Sequence, residues 1–161
     1  MQERYWNTMV QAKFSCYYLE MQHESSVKME RSINIFLAIM SCGSIAGWAI
    51  WNRFAIIWAI LVAFSQVISA ILHFLPYSKR AEELFKYCWE LNEISRKMEH
   101  DWFAVASGDL SEHEINEQID NTKKETNAIS YKYLNRDYLQ REPIIKDKAD
   151  KMTEEYFERN F

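Results

Sequence analysis

Glycine and proline are scarce in this sequence, which has three Gly and two Pro in 161 residues. Turn-rich β folds and disordered linkers depend on both residues, so their scarcity argues against these classes. Cysteine is also scarce, and its three copies, Cys16, Cys42 and Cys88, lie far apart in the chain. An odd, scattered set is not typical of a disulfide framework and fits a reducing compartment. The composition therefore predicts long helices and an all-α fold.

Recognisable catalytic and metal-binding motifs are lacking as well. The chain has no glycine-rich phosphate loop, no GxSxG, no HExxH and no CxxC. Its four histidines have no ligand-like spacing with one another or with the cysteines. We therefore predict that the protein is not an enzyme and that it holds no cofactor and no metal ion.

The sequence also lacks an excess of positive charge, since its formal net charge is -4. Nucleic-acid backbones are bound by clustered Lys and Arg side chains. Direct binding of DNA or RNA is therefore not expected.

Apolar residues, by contrast, are concentrated in one block, in which Arg53 is the only charged residue between positions 33 and 75. The block divides into two runs, 33–51 and 54–75, separated only by Asn52 and Arg53. At about 1.5 Å per helical residue the runs are roughly 28 and 33 Å long, which matches a hydrocarbon core of about 30 Å. The alternative, two buried helices of a soluble protein, would need a larger shell than this chain offers. We predict a two-helix transmembrane hairpin with its turn at 52–53.

The boundaries of this block divide the chain into three predicted parts. Residues 1–32 are predicted to form a cytoplasmic amphipathic helix, residues 33–75 the hairpin, and residues 76–161 a cytoplasmic helical bundle. Basic residues flank the block on both sides: Lys28 and Arg31 before it, and Lys79, Arg80 and Lys86 after it. The positive-inside rule then predicts a two-pass membrane protein with both termini in the cytoplasm.

Polar side chains recur on one face of the second apolar run. Gln66, Ser69 and His73 stand at i, i+3 and i+7, and Asn34 lies at the matching end of the first run. Unpaired polar groups in hydrocarbon are costly, so this face should meet protein or water rather than lipid. Two interpretations stay open: hydrogen bonds between helices, or the lining of an aqueous path in an oligomer.

Small residues form two stripes in the same block. Gly43 and Gly47 make a GxxxG in the first run, and Ala55, Ala59 and Ala63 follow at four-residue steps in the second. Helices in lipid approach one another at small residues. We expect these stripes to pack the hairpin against itself, with contact between subunits as the alternative.

Helical periodicity also organises the polar parts of the chain. Residues 4–32 carry an aromatic-rich stripe, which predicts an amphipathic helix that packs against the C-terminal helices. A further helix is expected from Pro76 to about residue 106, where Gly108-Asp109 ends it. A capping box, Ser111 to Glu114, is predicted to begin the next helix.

That next helix carries a candidate assembly seam with alternating steps of four and three residues, the spacing of a coiled coil. Its positions are Ile115, Ile119, Thr122, Thr126, Ile129 and Tyr133. The same spacing predicts a packing stripe of Ile145, Ala149, Met152 and Tyr156 in a last helix.

This arrangement resembles the SLATT family, the two-transmembrane effectors associated with nucleotide-synthesis and nucleotide-sensing defence systems of prokaryotes. The resemblance rests on the charged N-terminal helix, the hairpin with its Asn52-Arg53 turn and the helical region that begins with Tyr77-Ser-Lys-Arg80. It implies a membrane effector of anti-phage defence that opens a pore or disrupts the inner membrane when a partner is triggered. The implied partners are membrane lipid, further copies of the chain, and a cytoplasmic sensor or nucleotide-signalling protein.

Two transmembrane helices cannot enclose a conducting path, so a pore would require a homo-oligomer. The alternative function is a non-conducting membrane scaffold that anchors or restrains a cytoplasmic partner enzyme. In that case the seam from Ile115 to Tyr133 would carry the function.

Overall fold

The computed structural model describes residues 1–50, 55–74, 77–134 and 142–161, and their side chains except at 41–50, 55, 58, 72–74 and 77–80. Over these residues the chain forms five α-helices and no strand, so the predicted all-α class is confirmed. The helices are α1 (Gln2–Ile50), α2 (Ala55–Phe74), α3 (Tyr77–Ser107), α4 (Glu112–Leu134) and α5 (Pro143–Asn160).

The chain divides into two compact units. The first unit consists of Met1–His23 and Glu82–Phe161, and the second of Glu24–Ala81. Helix α1 contributes to both, since it continues from Gln2 to Ile50 through the boundary predicted after residue 32. The change in composition at that point therefore does not coincide with a helix end.

The core of the first unit brings α1 together with α3, α4 and α5. Its largest buried cluster draws on all four helices: Tyr5 and Met9, Met98 and Val105, Ile115 and Ile119, and Phe157. A second cluster joins α1 to α3: Cys16, Leu19, Leu84, Tyr87 and Leu91. Full burial of a large apolar side chain stabilises a fold by about 1.5–3 kcal/mol. The predicted packing of the N-terminal helix against the C-terminal helices is confirmed.

The connection between α3 and α4 follows from local sequence. Gly108 has a φ of 79°, and the Asp109 N–H donates to the Ala104 carbonyl at 3.1 Å, which is the C-terminal motif that glycine favours. Ser111 and Glu114 then form the predicted capping box. The Ser111 N–H donates to Glu114 Oε2 at 2.8 Å and the Glu114 N–H donates to Ser111 Oγ at 3.3 Å.

Helix α5 begins at Pro143, whose fixed φ suits the first turn of a helix. Its buried positions follow a constant four-residue step: Ile145, Ala149, Thr153 and Phe157. The predicted place of Met152 in this stripe is wrong, because Met152 is exposed. A four-residue row drifts around a straight helix, so the buried face moves from Met152 towards Thr153 and Phe157.

The second unit consists of the later part of α1, the whole of α2 and the first residues of α3. Within the described residues, no helix combines the length and the apolar character needed to cross a membrane. The transmembrane hairpin stays a prediction, and its turn at 52–53 lies outside the described residues.

Candidate functional site

The polar face predicted on the second apolar run meets α1 inside the second unit. Gln66 and Ser69 line a cavity of about 320 Å³ together with Leu37, Ala38 and Met40 of α1. Ser65 lies beside them and is buried, and its hydroxyl donates to the Val62 carbonyl at 2.8 Å. The cavity is thus a polar pocket with an apolar wall on the side of α1.

The other two members of the predicted polar set are not part of this cavity as described. Asn34 is exposed and does not line it. The side chain of His73 lies outside the described residues. The structure therefore brings together Gln66 and Ser69.

The small-residue stripes are described only in part. Ala59 and Ala63 are exposed in the single chain. Gly43, Gly47 and Ala55 lie where side chains are not described. Because Ala59 and Ala63 are not covered by α1, contact between subunits is the alternative that their exposure favours.

Large apolar side chains of α2 point outward. Ile56 and Ile60 expose 77% and 64% of their surface, and Phe64, Val67 and Ile71 are exposed as well. Meanwhile Ser65 is buried. The described part of α2 therefore presents a broad apolar surface to its surroundings, which is unusual for a protein that folds in water.

The candidate assembly seam of α4 is occupied within one chain. Ile115 and Ile119 are buried in the main core cluster of the first unit. Thr122 and Thr126 line a cavity of about 280 Å³ that α1 and α3 also line. Ile129 and Tyr133 pack against the second cluster. All six seam positions thus face other helices of the same chain, two of them buried and four partly buried.

The end of the seam is held to α3 by polar contacts. Lys132 Nζ and the Tyr133 hydroxyl each donate to Glu90 Oε1 at 2.7 Å. The hydrogen bonds from Lys132 and then from Tyr133 lower the pKa of the Glu90 carboxyl below its ordinary value. Both contacts keep the last turns of α4 against α3.

A half-buried polar network ties α1, α3 and α5 together, and sequence reasoning missed it. Lys13 Nζ lies 3.0 Å from Glu99 Oε1, and these two side chains expose only 10% and 17% of their surface. The Tyr156 hydroxyl donates to Glu99 Oε2 at 2.8 Å, and Ser95 donates to Glu99 Oε1 at 3.4 Å. The Lys13 ammonium also lies 3.9 Å from the centroid of the Tyr156 ring, which adds a cation–π contact.

Burial and partner charges act in opposite directions on Lys13. Burial lowers the pKa of its ammonium, while the hydrogen bond to Glu99 and its charge raise it, and the net effect is a raised pKa. Lys13 therefore stays charged in the fold. One sequence signal for this network exists: Lys13 falls on the buried row of α1 that also holds Met9, Cys16 and Leu19.

The cysteines of the first unit are not placed for nucleophilic chemistry. Burial raises the pKa of the Cys16 thiol to about 12 and also raises the pKa of Cys88. Cys88 Sγ lies 3.9 Å from the Cys16 carbonyl oxygen. Both thiols are protonated at neutral pH and contribute to packing, since the thiolate is the reactive form.

Comparison with known proteins adds no relative: no family model, curated protein or solved structure matches the chain.

Proposed function

We propose that the protein is an oligomeric membrane effector whose hairpin forms a pore or disrupts the inner membrane when a partner sensor is triggered. The proposal takes its setting, anti-phage defence, from the resemblance to the SLATT family. It takes its physical basis from the exposed apolar side chains of α2. Residues 33–51 and 54–75 form the transmembrane hairpin in this proposal, with both termini in the cytoplasm.

The outward apolar face of α2 is the observation that carries the proposal. Covering a large apolar side chain is worth about 1.5–3 kcal/mol, so five such side chains left in water forfeit on the order of 10 kcal/mol. That amount is comparable to the whole stability of a small domain. Lipid around Ile56, Ile60 and their neighbours on α2 removes this cost.

The polar cavity supplies the conducting element in the proposal. Gln66 and Ser69 line the cavity beside α1, and polar side chains within a bilayer mark ion or water pathways. Because one hairpin cannot enclose a path, several copies are needed, and the exposed Ala59 and Ala63 allow close approach of a neighbouring helix.

Membrane permeability tests this function directly. The full-length protein in liposomes is expected to release an encapsulated dye as the protein-to-lipid ratio rises, and its expression in bacterial cells is expected to collapse the membrane potential. Gln66→Leu should reduce both effects, because it removes the largest polar group of the cavity. Val67→Leu is the matched control, since Val67 is an exposed apolar neighbour. Equal dye release by wild type and Gln66→Leu would remove the pore-lining role.

A non-conducting scaffold is the second candidate, and an aromatic stripe on α3 favours it. Phe85, Trp89 and Phe103 share one helix face and are exposed, Trp89 by 60% and Phe103 by 72%. Exposed aromatic side chains are typical of protein-binding surfaces. Replacing the hairpin by an unrelated two-helix anchor separates the candidates: a scaffold retains its activity and a pore loses it.

A further inference from the structure

An open groove of about 850 Å³ lies beside α5 in the first unit, and we call it the aromatic groove. Its floor is apolar and is formed mainly by Trp6, Val10, Phe14, Trp102 and Phe161. The Trp6 ring packs directly on the Trp102 and Phe157 rings, with centroids 4.9 and 5.1 Å apart. The floor is therefore a preformed surface of packed rings, and an occupant needs apolar side chains to cover it.

One edge of the aromatic groove carries only negative charge. Asp150, Glu154 and Glu158 follow each other along α5 at four-residue steps, so they lie about 6 Å apart along the helix. Asn7 and Gln11 of α1 form the opposite edge and are neutral. No Lys or Arg side chain is among the described residues that line the groove. An occupant must therefore bring cations as well as apolar groups.

The neighbouring outward face of α5 has this chemistry. Ile144 is 72% exposed and Met152 is also exposed. Lys148, Lys151 and Arg159 lie on the same side of the helix together with Glu155, and Asp147 and Glu158 flank Lys151 at the edge of that side. None of these three cations has an ion-pair partner among the described residues. We call this surface the basic face.

We propose that the aromatic groove of one copy takes the basic face of α5 from a neighbouring copy. This inference rests on the proposed function, which requires a homo-oligomer, and it names the surfaces that assemble. The groove edge and the basic face are neighbouring sides of one helix, and no ion pair joins them within the described residues of one chain. Each copy instead offers a groove to one neighbour and a basic face to another.

Such a contact is heterologous, and heterologous contacts close into rings when the rotation between copies allows it. Ring closure is the arrangement that a pore made of two-helix hairpins needs. Complementary charges along the contact fix the register and steer association, while Ile144 and Met152 supply the apolar area that ion pairs at the rim do not.

Charge exchange between the two surfaces tests the contact in the full-length protein in detergent, with mass photometry as the readout. Lys148→Glu/Lys151→Glu and Glu154→Lys/Glu158→Lys are each expected to shift the assembly to smaller species. The chain that carries all four changes is expected to return to the wild-type mass. A mixture of the two double variants should recover it as well, because their altered surfaces complement each other.

The control is Lys123→Glu/Lys124→Glu on α4, which changes the same charge at exposed positions away from the groove and should leave the mass unaltered. Helical content by circular dichroism, checked for each variant, ensures that loss of assembly is not loss of folding. A monomeric wild type, or unchanged assembly in both double variants, overturns the inference. If the exchange behaves as expected while the wild type releases no dye, the contact stands and the pore function fails. If dye release persists in unassembled variants, the pore function stands and does not depend on this contact.

Discussion

Lys13 lies on the buried row of α1, where helical periodicity predicts an apolar side chain. The carboxylate of Glu99 compensates the charge of its ammonium group there. Removing one partner of a buried ion pair leaves an uncompensated charge and costs about 3–5 kcal/mol. We expect Lys13→Met to lower the free energy of unfolding of the first unit by about 3 kcal/mol. Thermal or urea unfolding of the full chain in detergent measures this loss.

The double variant Lys13→Met/Glu99→Leu should recover most of that stability, because it removes both charges together. Lys28→Met is the matched control: its partner Glu24 lies 2.8 Å away, but both side chains are well exposed, so the expected change is below about 1 kcal/mol. A double variant as unstable as Lys13→Met would show that the network does not act through its charges.

The difference between Lys13 and the seam residues shows what periodicity can predict at this scale. Ile115 and Ile119 were predictable as packing positions because an apolar side chain at helical spacing has one stable place, the core. A lysine at the same spacing is ordinarily solvated. Its burial depends on Glu99 and Tyr156, which lie 86 and 143 positions further along the chain, and sequence alone does not pair them.

The turn that ends α3 sets the direction in which α4 begins. Gly108 has a φ of 79°, and a Cβ at this position would meet nothing within 4 Å. Any cost of substitution is therefore conformational and amounts to about 1–2 kcal/mol for an ordinary residue. Gly108→Ala is expected to lower the unfolding free energy by about 1 kcal/mol, and Gly108→Asn by clearly less, since Asn tolerates this region. Equal losses in chemical denaturation would contradict the backbone explanation.

Elements with local signals were predictable, and elements set by distant contacts were not. The Gly108 break and the Ser111–Glu114 capping box are both read within a few residues. The continuity of α1 also has a local signal, because no Gly or Pro occurs before Gly43. The shift of the buried face of α5 from Met152 to Thr153 and Phe157 has no local signal, because it depends on how α5 crosses its neighbours.

The candidate site in the second unit was likewise predictable only where the sequence signal is local. Gln66 and Ser69 share one face by their spacing, and the structure gives them a common cavity against α1. The sequence did not determine what Ala59 and Ala63 would contact, because small residues pack equally well within a chain or between chains. Their exposure and the occupied seam of α4 move the expected assembly surfaces away from α4, towards α2 and α5.

For the whole molecule, the proposed function requires one topology, with the turn outside and both termini in the cytoplasm. Cysteine labelling in a background without Cys16, Cys42 and Cys88 tests it. Asn52→Cys is expected to react with a membrane-impermeant maleimide in intact spheroplasts, because the turn faces away from the cytoplasm. Lys124→Cys, at an exposed site of α4, is the matched control and should react only after lysis.

The pattern of labelling separates the possible outcomes. Labelling of Lys124→Cys but not of Asn52→Cys in intact spheroplasts would invert the topology and contradict the positive-inside argument. Protection of both sites until lysis, with the protein in the soluble fraction, would contradict the hairpin itself. The exposed apolar face of α2 would then need protein rather than lipid to cover it, and the pore proposal would lose the observation that carries it.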